Sequence, residues 1–195
     1  MHNLVSPVRN LQQQLLSDDW YTLNKYTFEL RRRDGSWQQQ SREAYDRGNG
    51  AVVLLFNREK ETVVLTRQFR LPAYISGHDG FLIEAAAGLL DNTSPEKRII
   101  AEAEEETGFR ISQIEKVFTA FMSPGSVMEK LWFFIAEYTE ADRLSDGGGL
   151  EEEGEDIEVL EWPLNRALEA ISTGEIMDAK TIMLLQHVAL TRMMR

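Results

Sequence analysis

The sequence predicts an α/β sandwich on a mixed sheet, preceded by a β-hairpin extension, and three observations carry that expectation. Short β-patterned runs joined by tight turns fill much of residues 20–86. One strongly punctuated helical segment follows at 95–107. Further strand-like runs and two helical patterns close the chain, and strands on both sides of a helix, with another helix at the end, are the pattern of a layered α/β domain.

Taken in order, "WYTLNKYTFELR" (20–31) and "WQQQSREAY" (37–45) flank "RRDGS", whose Asp34-Gly35 pair is a hairpin signal. They place a β extension in residues 1–45 ahead of a main domain at 46–195. Three β runs open that domain: "AVVLLF" (51–56), "TVVLTRQF" (62–69) across the polar turn "NREKE", and "FLIEAA" (81–86). The period then changes. Ser94 suits an N-cap, Pro95 the first helical turn and Gly108 the stop. At about 100° per residue, Ile100, Ala103 and Thr107 form one stripe and Arg98, Glu102, Glu105 and Glu106 another. Strands are expected near 111–121 and at 131–138, joined by "MSPGSVMEK". A glycine-rich acidic loop (145–155) leads to a strand at 156–162, and helices are expected at 165–172 and 179–194, the latter with Ile182, Leu185, Val188 and Ala189 on its apolar side.

Bulk composition narrows the classes. A chain of 195 residues suits one main core with a small appendage. No apolar run approaches the roughly 18 residues of a membrane span, and the N-terminus lacks a secretory pattern, so a cytoplasmic protein is expected with no membrane partner. The absence of cysteine excludes disulfides, thiolate zinc sites and cysteine nucleophiles. A net charge of −11 argues against nucleic acid as a partner, because phosphate neutralisation needs a basic patch.

Three glutamates, Glu102, Glu105 and Glu106, crowd into one short stretch of the helix. Like charges three or four residues apart cost a few tenths of a kcal/mol each. Their oxygens can converge on a hard cation, which would relieve the repulsion; a solvated acidic face is the competing reading, and the commoner one for glutamate-rich helices. The surrounding glycine loop, cap and glycine stop favour the cation.

The segment "GLLDNTSPEKRIIAEAEEETGF" (88–109) resembles the Nudix box, the signature of a family of diphosphate hydrolases. Its second half matches in register. In the first half Gly88 sits one residue closer to the helix than the signature has it, Ser94 stands near the usual glutamate, and Ala101 replaces the usual arginine. The resemblance implies the Nudix α/β/α sandwich and Mg²⁺-dependent hydrolysis, with Mn²⁺ as the alternative ion. It implies Glu102, Glu106 and the carbonyl of Ala87 as metal ligands, with Glu105 assisting. A further carboxylate is expected from the acidic loop: Glu155 is the choice as ligand or general base, with Glu151, Glu152 and Glu153 as competitors.

The likeness runs across nearly the whole chain, through "YDRGNGAVVLL", "TVVLTRQFR", "AGLLDN", "MSPGSV", "DIEVLE" and "TGEIMDAKT". These stretches are similar to the nucleoside-diphosphate-sugar branch of the family, most closely its GDP-mannose pyrophosphatase subgroup. The resemblance implies a homodimer with exchanged N-terminal strands, and substrate contacts from Trp20, Arg42, Glu43, Arg70, Glu129 and Lys180. The residue types suit those roles: indole stacks on a base, guanidinium pairs with phosphate oxygens. Most also have a plainer use, Trp20 in dimer packing, the arginines in surface ion pairs, Lys180 as a solvated charge and Glu129 as a loop charge. Hydrolysis of ADP-ribose and a nucleotide-binding module without turnover are the alternatives; RNA decapping is disfavoured by the acidic balance.

Overall fold

The computed structural model describes residues 6–193. They fall into two compact units, one built from the chain up to Asn49 with Phe121–Glu129, the other from Gly50–Ala120 and from Lys130 onward.

The first unit is an antiparallel sheet in the order β1 (Val8–Asp18), β2 (Thr22–Arg31), β3 (Trp37–Asp46). Strands β2 and β3 are the expected hairpin, with Arg31 opposite Trp37. Asp34 Oδ1 accepts from the Ser36 amide at 2.9 Å, and Gly35 takes φ +86°, a conformation that suits glycine. Strand β1 was not expected, because "VRNLQQQLLSD" is exposed along nearly its whole length and shows no inside-outside alternation. The segment Phe121–Glu129 is held to β3 by Tyr45, whose N–H donates to the Ser126 carbonyl at 2.8 Å and whose carbonyl accepts from the Met128 N–H at 2.9 Å.

The second unit is built on a mixed sheet of β4 (Gly50–Asn57), β5 (Thr62–Phe69), β6 (Phe81–Glu84), β7 (Ala86–Leu89), β8 (Glu115–Phe121), β9 (Lys130–Glu137) and β10 (Glu158–Pro163). The path is β10-β5-β4-β9-β8, with β6 on β5 and β7 on β4. Strands β4 and β9 run parallel, which makes the sheet mixed. The expected single strand at 81–86 is broken at Ala85, because the chain changes partner there: Phe81–Glu84 pair with β5 and Ala86–Leu89 with β4.

Among the described residues four α-helices belong to this unit: α1 (Leu71–Ile75), α2 (Pro95–Thr107), α3 (Leu164–Thr173) and α4 (Ala179–Val188), the last running into a π turn at Ala189–Met193; the expected end of that helix at 194 lies outside the described residues. The short α1 had no counterpart among the expected elements. Strand β4 is buried from end to end, the signature of a strand covered on both faces. Side chains alternate across a strand, so Ala51, Val53 and Leu55 share one face, where they cluster with Ile99 and Ala103 of α2 and with Phe134 and Phe109. Val52, Leu54 and Phe56 are buried on the other face, and α4 supplies buried Leu184, Leu185 and Val188. On α2 the core stripe is Ile99, Ala103 and Thr107, with Ile100 only partly buried at its edge. The expected stripe was one residue out of phase at its first position.

Candidate active site

Helix α2 begins and ends as its sequence dictates. Ser94 accepts from the Lys97 amide through its side chain, Pro95 occupies the first turn, and Gly108 closes the helix at φ +77° with its N–H on the Glu104 carbonyl. Rotation toward the sheet brings two carboxylates inside, Glu102 at 5% and Glu106 at 2% relative exposure. The strand ahead of the helix is shaped around them. A Cβ on Gly88 would lie 1.6 Å from Glu102 Oε1, so the backbone there approaches the carboxylate as only glycine can. One residue earlier, the Ala87 N–H donates to Glu106 Oε2 at 3.2 Å.

Burial, and then the charges of Glu102 and Glu155, push the Glu106 carboxyl well above the usual carboxylate range; the Ala87 amide and Arg70 offset this only in part. Arg98, one turn before Glu102, sets its Nη2 at 2.5 Å from Glu102 Oε1 and its Nη1 at 3.9 Å from Glu105 Oε2.

The acidic loop docks on the end of this helix. The N–H groups of Gly148 and Gly149 donate to the carbonyls of Glu106 (3.0 Å) and Glu105 (3.1 Å), satisfying acceptors that a helix end leaves open. Side chains at Gly108 or Gly147 would collide with backbone atoms across this contact. Glu155 Oε2 accepts from the Leu150 N–H at 3.0 Å and so fastens its own loop.

A second charged group gathers at the ends of β6 and β5 and the start of α4. Glu84 is buried and accepts from Arg70 Nε at 2.7 Å and from Lys180 Nζ at 2.6 Å, while Lys180 also pairs with Asp178 Oδ1 at 2.9 Å. Asp178 is at the same time the N-cap of α4, accepting from the Thr181 N–H. Burial acts to raise the Glu84 carboxyl, but Lys180 and Arg70 outweigh it and hold it below its ordinary value. Burial likewise works against the Lys180 ammonium, yet Glu84 and Asp178 keep it raised.

Four expected substrate residues belong to the first unit. Trp20 is 82% exposed and stacks on Tyr21 at a centroid distance of 5.2 Å. Arg42 is exposed and donates to the Ser41 carbonyl at 2.7 Å, and Glu43 stands opposite Lys25 on β2. Glu129 pairs with Arg47 Nε at 3.6 Å.

The structure therefore brings Glu102, Glu105 and Glu106 together, with Ala87 beside them and Arg70 and Glu155 within electrostatic reach. Lys180 is drawn to Glu84 rather than left open. Among the described residues no group of three or more acidic or histidine side chains is close enough to hold a metal ion as the side chains stand. The donor chemistry nevertheless suits a hard divalent cation: the oxygens are carboxylate and carbonyl, and Glu106 is crowded by two like charges. Glu84, Asp178 and Arg98 were missed as site residues. Signals for them existed: a lone carboxylate inside the apolar run "FLIEAA", an aspartate at a helix start, and an arginine four residues before a glutamate.

A mixed sheet covered on both faces, with a capped helix whose buried glutamates pack beside Gly88 of β7, is the arrangement expected of the Nudix class of diphosphate hydrolase. A crystal structure described as an ADP compounds hydrolase shares this fold, with a TM-score of 0.70 over 94% of this chain and 91% of its own, at 16% identity. Residues 7–45 match the family model described as the GDP-mannose pyrophosphatase NudK N-terminal domain. Proteins named GDP-mannose pyrophosphatase are 55% identical over 93% of this chain and 94% of their own in Pectobacterium atrosepticum, and 51% identical over 94% and 92% in Klebsiella pneumoniae. An Escherichia coli O1:K1 protein of the same name is 50% identical, with 94% of this chain and 96% of its own covered. The chain belongs to the GDP-mannose pyrophosphatase family of Nudix hydrolases.

Proposed function

We propose that this protein hydrolyses the pyrophosphate bridge of GDP-mannose, giving GMP and mannose 1-phosphate. The observation that carries the reading is identity of 50–55% along nearly the whole chain to proteins named for that activity. The intact carboxylates of α2 agree with it.

Glu102, Glu106 and the Ala87 carbonyl would hold the divalent cation, read as Mg²⁺ with Mn²⁺ as the alternative, and Glu105 would assist. A bound divalent ion supplies charge neutralisation on the diphosphate and acidifies water. The remaining work belongs to the chain. Hydrolysis joins a water oxygen to one phosphorus as the bridging P–O bond breaks, and the water proton must pass to a base. Glu155, whose charge already reaches Glu106, is our choice once it releases the Leu150 amide.

Arg70 bonds through Nε alone among the described residues, which leaves both Nη groups to meet phosphate oxygens. Lys180 spends two of its three hydrogens on Glu84 and Asp178, and the third is what remains for substrate. Trp20, Arg42, Glu43 and Glu129 are assigned to the nucleotide and sugar in a homodimer that exchanges N-terminal strands, within the cytoplasm.

The test is product analysis with GDP-mannose and ADP-ribose in parallel, with Mg²⁺ and with EDTA. Metal-dependent GMP at much the higher kcat/KM supports the assignment. Preference for ADP-ribose would overturn the substrate and keep the chemistry, and no turnover of either would overturn the enzyme.

A further inference from the structure

We infer that Arg98 is a positioning residue of this site: its guanidinium bridges Glu102 and Glu105 and fixes the rotamer in which Glu102 meets a divalent cation. The inference rests on the hydrolase reading above and deepens it.

Helix stability does not account for Arg98. It sits early in α2, where the helix dipole disfavours a cation, and it precedes its glutamate, the weaker order for an i,i+4 pair. Its side chain is 24% exposed and that of Glu102 only 6%, so the contact is largely shielded from water. Among the described residues Arg98 Nε is buried with no hydrogen-bond partner, a sacrifice that a solvated surface pair would not make. The side chain is drawn inward by its two carboxylates.

Glu102 is thereby confined from two directions. Gly88 lets the backbone lie against Oε1 on one side, and Arg98 Nη2 holds the same oxygen at 2.5 Å on the other. The planar fork also keeps Glu105 in range, at 3.9 Å, so one cation sets the spacing of two carboxylates. Where the Nudix signature has an arginine directly before the first glutamate, this chain has Ala101; Arg98 lies three residues earlier, on a neighbouring ridge of the same helix. The fork is supplied from there.

Charge and position make opposite predictions here. Removing a positive group beside Glu102 should strengthen the Coulomb attraction for a second cation, whereas removing an orienting group should weaken binding. Metal-free wild type, Arg98→Met, Arg98→Gln, Arg98→Lys and Glu106→Gln proteins, all full length, would be titrated with Mn²⁺ by calorimetry, then melted and assayed with GDP-mannose. Met and Gln both suit a helix, so one of the two is expected to fold even if the other does not. Both should bind Mn²⁺ about tenfold more weakly, the scale for loss of a group that orients a ligand. Their kcat should fall with KM for the sugar nucleotide unchanged. Arg98→Lys, a point charge without the fork, should fail in the same way. Unchanged or tighter Mn²⁺ binding in Arg98→Met and Arg98→Gln, or wild-type behaviour in Arg98→Lys, overturns the positioning role. Glu106→Gln separates the two levels: if it too binds Mn²⁺ like wild type, the metal site itself is misassigned, and if it alone loses Mn²⁺, only the role of Arg98 is lost.

Discussion

Glu84 and Lys180, 96 residues apart in the chain, meet through a 2.6 Å ion pair that ties the end of β6 to the first turn of α4. Arg70 shares the same carboxylate. The folded Glu84 carboxyl lies below its ordinary value of 4.5, so its stabilising contribution is complete above that value and is lost as pH falls through the folded one. The Lys180 ammonium lies above its ordinary 10.5, so its contribution is complete below that and is lost as pH rises through the folded value. The pair therefore operates across the whole neutral range.

Glu84→Gln should destabilise the protein by roughly 3 kcal/mol at pH 7, the low end for breaking a buried pair, because Lys180 keeps Asp178 as a counter-charge and the Arg70 side chain is partly exposed. Urea unfolding of both proteins checks this. The gap between them should close as pH is lowered below Glu84's ordinary 4.5, where the wild-type carboxyl takes up its proton.

Glu106→Gln should cut turnover at least about a hundredfold, since removing a ligand costs no less than removing its support. In metal-free protein the same change should raise stability at neutral pH. A raised carboxyl favours the protonated form, so the stability it provides is present below its ordinary 4.5 and fades as pH climbs through the folded value. The neutral amide escapes that loss. Melting curves with and without Mg²⁺ at several pH values read both effects, and near-normal turnover in the variant would remove α2 as the catalytic element.

Gly88→Ala separates folding from function at a single methyl group. The new Cβ would overlap Oε1, Cδ and Cγ of Glu102, a side chain that can change rotamer, and no backbone atom is among its three nearest neighbours. The fold should survive and Mg²⁺-dependent activity should not. Circular dichroism beside a GDP-mannose assay makes the comparison.

Deletion of residues 1–45 should abolish activity and leave a monomer, because the proposed exchange of N-terminal strands supplies contacts to each site. Light scattering after gel filtration gives the mass. An active monomer would refute that arrangement.

Legibility from sequence followed the physics of each element. Strands with a buried face and helix α2 with its cap, proline and glycine stop announced themselves, and β5 was expected at its observed Thr62–Phe69. Strand β1 did not, since a strand exposed along its length has no reason to alternate. Ile100 was preferred to Ile99 because periodicity gives a face to within about one residue, and only packing on the sheet decides the rest. The carboxylates of α2 were readable because their crowding needs explaining. Glu84 stood out only as a lone carboxylate in an apolar run, and its ion pairs could not be read, because Arg70 and Lys180 lie 14 and 96 positions away and only folding gathers them.

Three consecutive glycines ordinarily behave as a linker, whose amides trade their hydrogens with solvent almost as fast as an unfolded chain. In this protein the amides of Gly148 and Gly149 are bonded to the last carbonyls of α2. Their deuterium uptake should therefore wait on the loop lifting off the helix end. A stretch that looks like slack in the sequence is expected to exchange like a docked element.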